Sequence, residues 1–545
     1  MTTTERRSAA ASENPTRGSS APGLFWTTAN IGEAAPAVLT PLCWSLWGPG
    51  NELAVRTTWH RFGMVGPDEI VVDPDQSKRL TGIFYGRQAM NMDAIRHYVD
   101  RFPGMTGDEF EFGLAGAARA DAEPVARLTD LQQAMVAETV EAVRATHRER
   151  LDAEVKRELE WWRAEIFGAA GSGTPVERLQ DAFERFVRAI GLHNETRLLS
   201  TAAMSGLYRL AATVDSIDTV PAVTSAFGDV TELSMADDLW ALAHGDLEQA
   251  TFLERHGYHG ENEGNPAGHS WREDPGLLDR TLTALRNRHV DEHPQRRAER
   301  AGRQAREAIA ALEAKLDEGQ RAELAVLLAE IADVVRETEL GKASFLAAID
   351  GFRAAARDLG DELVERGVLH NRDDVFFLSM DELAGDLGPE VSASVDSRRQ
   401  DWAEFNQVSL PMTFYGMPEP LAQTAGRVQP GETLQGIGVS GSTHEGRVRI
   451  IRRADDYTDL EAGDVLVCET TDPSWTALFL LADALVIDVG SVGSHGAIVA
   501  RELGLPAVVN TSDGTRRLRD GDRVIVDGTK GTVTVVSVVE PDSGQ

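Results

Sequence analysis

Val486-Ile-Asp-Val-Gly490-Ser-Val-Gly-Ser494-His495-Gly-Ala-Ile-Val-Ala-Arg501-Glu-Leu-Gly504-Leu-Pro506-Ala-Val-Val509 is the stretch from which the rest of the chain is read. Its apolar runs, Ala484 to Val489 and Ala507 to Val509, predict two buried strands. Between them lie a glycine-rich turn and a short amphipathic helix, with Gly504 and Pro506 as stop signals. His495 falls at or near the helix start, where unpaired backbone N–H groups and a partial positive charge suit an anion. Gly490 and Gly493 let the backbone approach that anion without a Cβ in the way, and Ser494 belongs to the same turn. A histidine so placed is able to accept a phosphoryl group whose oxygens the turn then holds. Residue types alone leave a second reading open, in which His495 caps the helix or packs in a core.

The wording of the segment narrows this. Ser494 to Val509, with Thr471-Asp472-Pro473-Ser-Trp475-Thr-Ala-Leu-Phe479 upstream, resembles the phosphohistidine (swivelling) domain of the phosphoenolpyruvate-utilising enzymes. Pyruvate phosphate dikinase, rifampin phosphotransferase and phenylphosphate synthase belong to that family. The resemblance implies that His495 carries a phosphoryl group. It makes Gly490, Gly493, Ser494 and Arg501 candidate phosphate contacts, although Arg501 equally fits an exposed helix position.

A chain of 545 residues with 42% hydrophobic content is expected to form two or three domains with real cores. Two cysteines, Cys43 and Cys468, suggest neither a disulfide framework nor a cysteine-rich metal site, and fit a cytoplasmic protein. A formal net charge of −33 argues against non-specific nucleic-acid binding and against an anionic membrane surface. Any phosphate site must therefore gather its cations locally. Residues 1–23 lack the apolar core of a signal peptide and are expected to be a disordered tail.

Residues 24–410 are expected to form a mostly helical acceptor-binding domain. Helical periodicity runs over Glu123–Phe167, Val176–Ile190, Glu195–Thr213 and Met235–Leu242. It continues over Pro275–Leu316 and Gln320–Arg366, each expected in pieces. Phe25 to Leu46 and Phe84 to Met92 resemble the acceptor region of rifampin phosphotransferase relatives, which makes Trp44, Tyr85, Arg87 and Asn91 candidates for acceptor or phosphate contact. Each also fits an ordinary place in or beside a core. Gly367 to Leu383 reads as a turn, a buried strand and a helix capped by Ser379.

A second titratable stretch, Phe252-Leu-Glu-Arg-His256-Gly257-Tyr258-His259-Gly260-Glu261-Asn262-Glu263 followed by Ser270-Trp271-Arg272-Glu273-Asp274-Pro275, has no zinc spacing. It resembles a Gly-His-Arg-Gly-Pro-Gly-Glu loop of acceptor-phosphorylating relatives, with Tyr258 and His259 in place of that His and Arg. His259 or Glu263 is a candidate base for a hydroxyl acceptor, with Tyr258 and Arg272 as substrate contacts. The alternative is a loop tied to the helical core by its charges.

Prolines and glycines mark residues 411–433 as a linker, which as a coil of about 20 residues spans roughly 25 Å. Residues 434–541 are strand-rich, with strands expected at Gly446–Ile451, Asp464–Cys468, Ala484–Asp488, Ala507–Val509, Arg523–Asp527 and Thr532–Val536. The expected fold is thus multidomain α+β, a helical acceptor domain followed by a β/β/α swivelling domain. The family's ATP-grasp region and pyruvate barrel are expected to be absent. By resemblance to phenylphosphate synthase, ATP and Mg2+ are expected on a separate ATP-grasp subunit, and the acceptor is expected to be a phenol or other small aromatic alcohol. An antibiotic-inactivating phosphotransferase and a phosphocarrier or regulatory protein are the rival readings.

Overall fold

The computed structural model describes residues 14–539 apart from 30, 36, 116–117, 123–127, 169–170, 226–230, 261, 422–425, 453–459, 472–474 and 493. Its principal helices are α1 (Asp130–Trp161), α2 (Pro175–Ala212), α3 (Thr231–His244), α4 (Pro294–Glu313) and α5 (Glu318–Glu365). Capping boxes begin three of them, Thr129 with Gln132, Thr174 with Glu177 and Asp317 with Gln320, satisfying first-turn N–H groups. α2 and α5 pack along each other, and α1 lies against both.

The stretches expected at Val176–Ile190 and Glu195–Thr213 join as α2, and the pieces expected over Gln320–Arg366 join as α5. Pro275–Leu316 does come in pieces, with a helix over Asp279–Arg286 separate from α4. α2 continues through Gly191, whose carbonyl accepts a bond of 2.9 Å from the Thr58 hydroxyl of a neighbouring helix. α5 stays unbroken because its second half, rich in alanine with Phe345, Ile349 and Phe352, is buried all round. Tertiary burial there outweighs the helix-weakening effect of Gly341, Gly351 and Gly360.

A small antiparallel sheet of β1 (Phe25–Thr27), β2 (Thr81–Phe84), β3 (Arg87–Asn91) and β4 (Thr413–Tyr415), in the order β2-β3-β1-β4, packs on this helical body. β4 narrows the expected linker: Phe414 is buried against Phe84, so 413–415 belong to the first domain. At the other end Val428 is fully buried in the C-terminal domain. The expected disordered tail is corrected in its described part. Asn14 and Arg17 bond Asp401 at 2.9 and 2.8 Å, and Thr16 is buried. Residues 1–13 lie outside the described residues. The strand expected near Phe376 is a 3-10 helix, Arg372–Phe377, held by an Asn371–Asp374 capping box, whereas Ser379 caps the next helix as read.

The C-terminal domain contains β5 (Thr433–Gln435), β6 (Ile437–Gly438), β7 (Thr443–Ile450), β8 (Asp464–Cys468), β9 (Ala484–Ile487), β10 (Ala507–Val509), β11 (Arg523–Asp527) and β12 (Thr532–Ser537). Their order is β5-β12-β11-β7-β8-β9-β10-β6, with β7 to β10 parallel and the flanks antiparallel. Alternation along the strands splits the sheet into two apolar faces. Val465, Val467, Val486 and Val508 make a core with Val524 and Val533 inside the domain. Leu466, Leu485, Ile487 and Val509 join helix α6 (His495–Glu502) and the Leu478–Leu481 segment, and this core runs on into Leu239 and Trp240 of α3. The two domains are therefore docked through a shared core. Arg297 of α4 fastens them further, donating to the Phe479 and Ala482 carbonyls and to Asp483, each at 3.3 Å.

Candidate functional site

β9 ends at Ile487, and the chain turns through Gly490 to reach α6 with His495 as its first residue. Asp488 braces this turn from below. Its buried carboxylate accepts bonds from Thr511 Oγ1 at 2.7 Å, Gly514 N at 2.6 Å and Thr515 N at 3.0 Å. Burial still pushes its pKa above the ordinary value, against those bonds. Gly490 is required by space, since a Cβ there would stand 3.1 Å from Val509 Cβ. Ser494 is the N-cap in extended conformation, its hydroxyl accepting from Ala497 N at 3.4 Å. The first N–H groups of α6 thus surround His495. Gly493, expected as a phosphate contact, lies outside the described residues.

His495 points across the domain boundary. Lys342 Nζ of α5 donates to His495 Nδ1 at 3.1 Å, and Thr476 Oγ1 makes a long contact of 3.5 Å with Nε2. Phe479 stacks on the imidazole at 6.0 Å between centroids. Lys342 is itself steadied by Glu339 at 3.5 Å. Sequence reading missed this lysine. Its signal was a cation inside the small and apolar run from Gly341 to Phe345, where a surface helix would not place one.

Beside this contact lies a cavity of about 940 Å³ shared by both domains. Trp47, Trp59, Met90 and Phe345 supply apolar walls from the helical body, while Ser491, Val492 and Arg501 reach it from the His495 turn. Arg501 is buried, not a surface residue, and donates to the Val492 carbonyl at 2.7 Å. Burial lowers its pKa from the usual guanidinium value, with Tyr208 and Glu502 opposing. Arg197 and His193 of α2 line the same space. So Lys342 stands against His495 while Arg197 and Arg501 add cations to the cavity, in an otherwise acidic chain.

The other predicted contacts have structural duties. Trp44 packs in the main core, against the bare face of Gly48. Tyr85 takes a left-handed φ of 48° in the β2–β3 turn and stacks on Phe405. Arg87 donates to the Tyr85 and Phe405 carbonyls at 3.2 and 2.9 Å, and burial lowers its pKa, with Glu469 opposing. Asn91 caps a helix, accepting from Ala94 N at 3.2 Å. Tyr258 is buried against Trp162. Arg272 bonds both oxygens of the fully buried Asp350, at 2.8 and 3.2 Å.

His259 and Glu263 do meet, Nδ1 to Oε2 at 2.6 Å, both buried. Their loop touches the cavity wall next door, where Trp47 Nε1 donates to the Gly264 carbonyl at 2.6 Å. Among the described residues no group of three His, Cys, Asp or Glu side chains is placed to hold a metal ion. No described helix is long and apolar enough to cross a membrane.

Two family models match this chain. Residues 460–531 match the mobile domain of the PEP-utilising enzymes, and residues 193–342 match the fourth domain of rifampicin phosphotransferase. An uncharacterized protein of Mycobacterium tuberculosis is 40% identical over 222 residues, 41% of this chain and 26% of that protein. Rifampicin phosphotransferase of Streptomyces sviceus is 32% identical over 294 residues, 52% of this chain and 34% of that enzyme. An uncharacterized phosphotransferase of Bacillus subtilis, YvkC, is 39% identical over 191 residues, 33% and 23% of the two chains. The chain thus spans a quarter to a third of these relatives. The segment that ends at Lys342 and the segment that holds His495 are the two that match, one similar to the rifampicin phosphotransferase fourth domain and the other to the mobile domain of the PEP-utilising enzymes.

Proposed function

We propose that this protein transfers a phosphoryl group from His495 to a hydroxyl acceptor held in the interdomain cavity. The observation that carries the reading is the Lys342–His495 contact beside an apolar cavity built by both domains. A phosphoryl group on the ring would have the Lys342 ammonium and the N-terminus of α6 near its oxygens. Phosphoryl transfer needs little more than such charge stabilisation and in-line placement of the attacking oxygen.

On the donor side, the resemblance to phenylphosphate synthase has ATP with Mg2+ cleaved on a separate ATP-grasp partner. Loading then requires the C-terminal domain to leave the docked position. For the acceptor, a phenol or small aromatic alcohol follows the phenylphosphate synthase resemblance. The cavity favours the rival reading: about 940 Å³ is the upper range of drug-sized ligand sites and far exceeds one phenol ring. A large apolar hydroxylated molecule, as in the relatives named rifampicin phosphotransferase, fills it better.

The test is phosphorylation of the full chain and of His495→Ala with β-labelled ATP and the candidate ATP-grasp partner, chased with phenol and with rifampicin. Acid-labile label on wild type alone that moves to either acceptor supports the reading. Label that moves to neither leaves a phosphocarrier and defeats it.

A further inference from the structure

His193 of α2 is a titratable group on the cavity wall that neither the resemblance nor the His495 contact accounts for. Its ring lies edge-on to Phe345 at 5.2 Å and fits against the bare Cα of Gly341, where a Cβ would be 3.4 Å from Nδ1. Gly341 is the residue before Lys342. One turn of α5 therefore faces His193 on one side and, through Lys342, His495 on the other.

The two ring nitrogens differ. Nδ1 lies against Gly341 of α5 and is buried without a hydrogen-bond partner among the described residues. A neutral ring protonated on that covered nitrogen keeps its lone pair on Nε2, and the half-buried ring lines the cavity. With burial, and with Arg197 and Lys342 close by, the pKa falls to about 3, so the ring is neutral in this docked state. Arrival of a phosphoryl dianion offsets those two cations and raises the proton affinity of the ring when the acceptor is in place.

We infer that His193 is the group that receives the acceptor's hydroxyl proton during transfer from phospho-His495, an inference that rests on the acceptor reading above. The acceptor oxygen forms its bond to phosphorus as the P–N bond breaks. The electron pair of that bond returns to the His495 ring, and the hydroxyl proton passes to His193 Nε2, giving an imidazolium that later loses its proton to water. His259 and Glu263, bonded to each other at 2.6 Å, are the competing base.

The experiment loads His495 of the full chain chemically with phosphoramidate, so that no ATP partner is needed. Single-turnover transfer to rifampicin and to 2-naphthol is then followed for wild type, His193→Gln and His193→Ala. Both variants are expected to bind a productive probe within about threefold of wild type, and to transfer about 100-fold more slowly. Added imidazole is expected to restore His193→Ala, which a merely structural role would not allow. Transfer by His193→Gln at the wild-type rate overturns the inference, and so does a loss that follows weakened binding and is not rescued. If His193→Ala does not fold, His193→Gln decides alone by the split between binding and transfer. Wild-type phosphoprotein that passes its group to neither probe defeats the acceptor reading itself, and the role of His193 falls with it. His259→Ala run alongside shows which base carries the proton.

Discussion

The loop from His256 to Glu273 holds more ionisable side chains than the turn from Gly490 to His495, but its charges answer one another. Arg272 and Arg353 converge on Asp350, Arg357 bonds Glu273 at 2.9 Å, His256 bonds Asp238 at 2.8 Å, and His259 bonds Glu263. Asp350 is fully buried, and although burial raises its pKa, Arg272 and Arg353 more than compensate and hold it below the ordinary carboxylate value. The His495 turn is built the other way. Backbone and small residues make it, and its histidine looks outward to a lysine of another domain. A network whose members saturate one another stabilises a fold; a group set against a cation and a cavity is available for chemistry.

That contrast is broken or sharpened by four measurements. His495→Ala should abolish acid-labile phosphorylation while leaving the thermal unfolding midpoint nearly unchanged, since a half-buried first helix residue contributes little packing. A variant that still forms acid-labile phosphate would end the contrast. Lys342→Met should keep phospho-His495 but slow its transfer by about 10²- to 10³-fold, the usual cost of removing one charge-stabilising donor. Single-turnover decay of the labelled protein reads this directly.

On the other side, Asp350→Ala should act on stability before activity. It leaves Arg272 and Arg353 without their shared carboxylate, at a cost of about 3–5 kcal/mol. Urea unfolding would show a lower midpoint, and a midpoint equal to wild type would mean that the network does not hold the loop.

The smallest effect concerns pH. Burial, with His259 and Arg255 opposing Asp238, lowers His256 to about 4. Its folded pKa thus lies below the unfolded value of about 6.5, so the unfolded state binds more protons between those values. Stability should therefore fall as pH drops from 6.5 towards 4, by at most about 1.4 kcal/mol per pH unit from this group. His256→Gln should flatten that part of the stability–pH curve; an unchanged slope would move the effect to other groups.

Much of this was legible before any coordinates. The strand–turn–helix–strand around His495 appears in place, with Asp464–Cys468, Ala507–Val509 and Arg523–Asp527 bounded as read. Short strands between glycines carry their pattern locally, as does a helix that starts at Ser494 and stops at Gly504. His259 and Glu263 were legible as alternative candidate bases, whereas the bond between them came only with the structure. The duties of Tyr258 and Arg272 were not legible, because each depends on a partner far away in the chain. Arg272 meets Asp350 from 78 residues off, and Tyr258 meets Trp162.

By itself, then, the sequence determined the local grammar of the C-terminal domain, the turn that carries His495 and the helical character of the body. Tertiary structure alone decided that α2 and α5 run unbroken, that Arg501 is buried, and that residues 413–415 join a strand order closed with β1. It also brought Lys342 to His495 across 153 residues and His193 to the cavity between them. The reason is physical. Helix caps, glycine turns and strand alternation act between near neighbours, whereas a cavity and the charges around it exist only where distant elements pack.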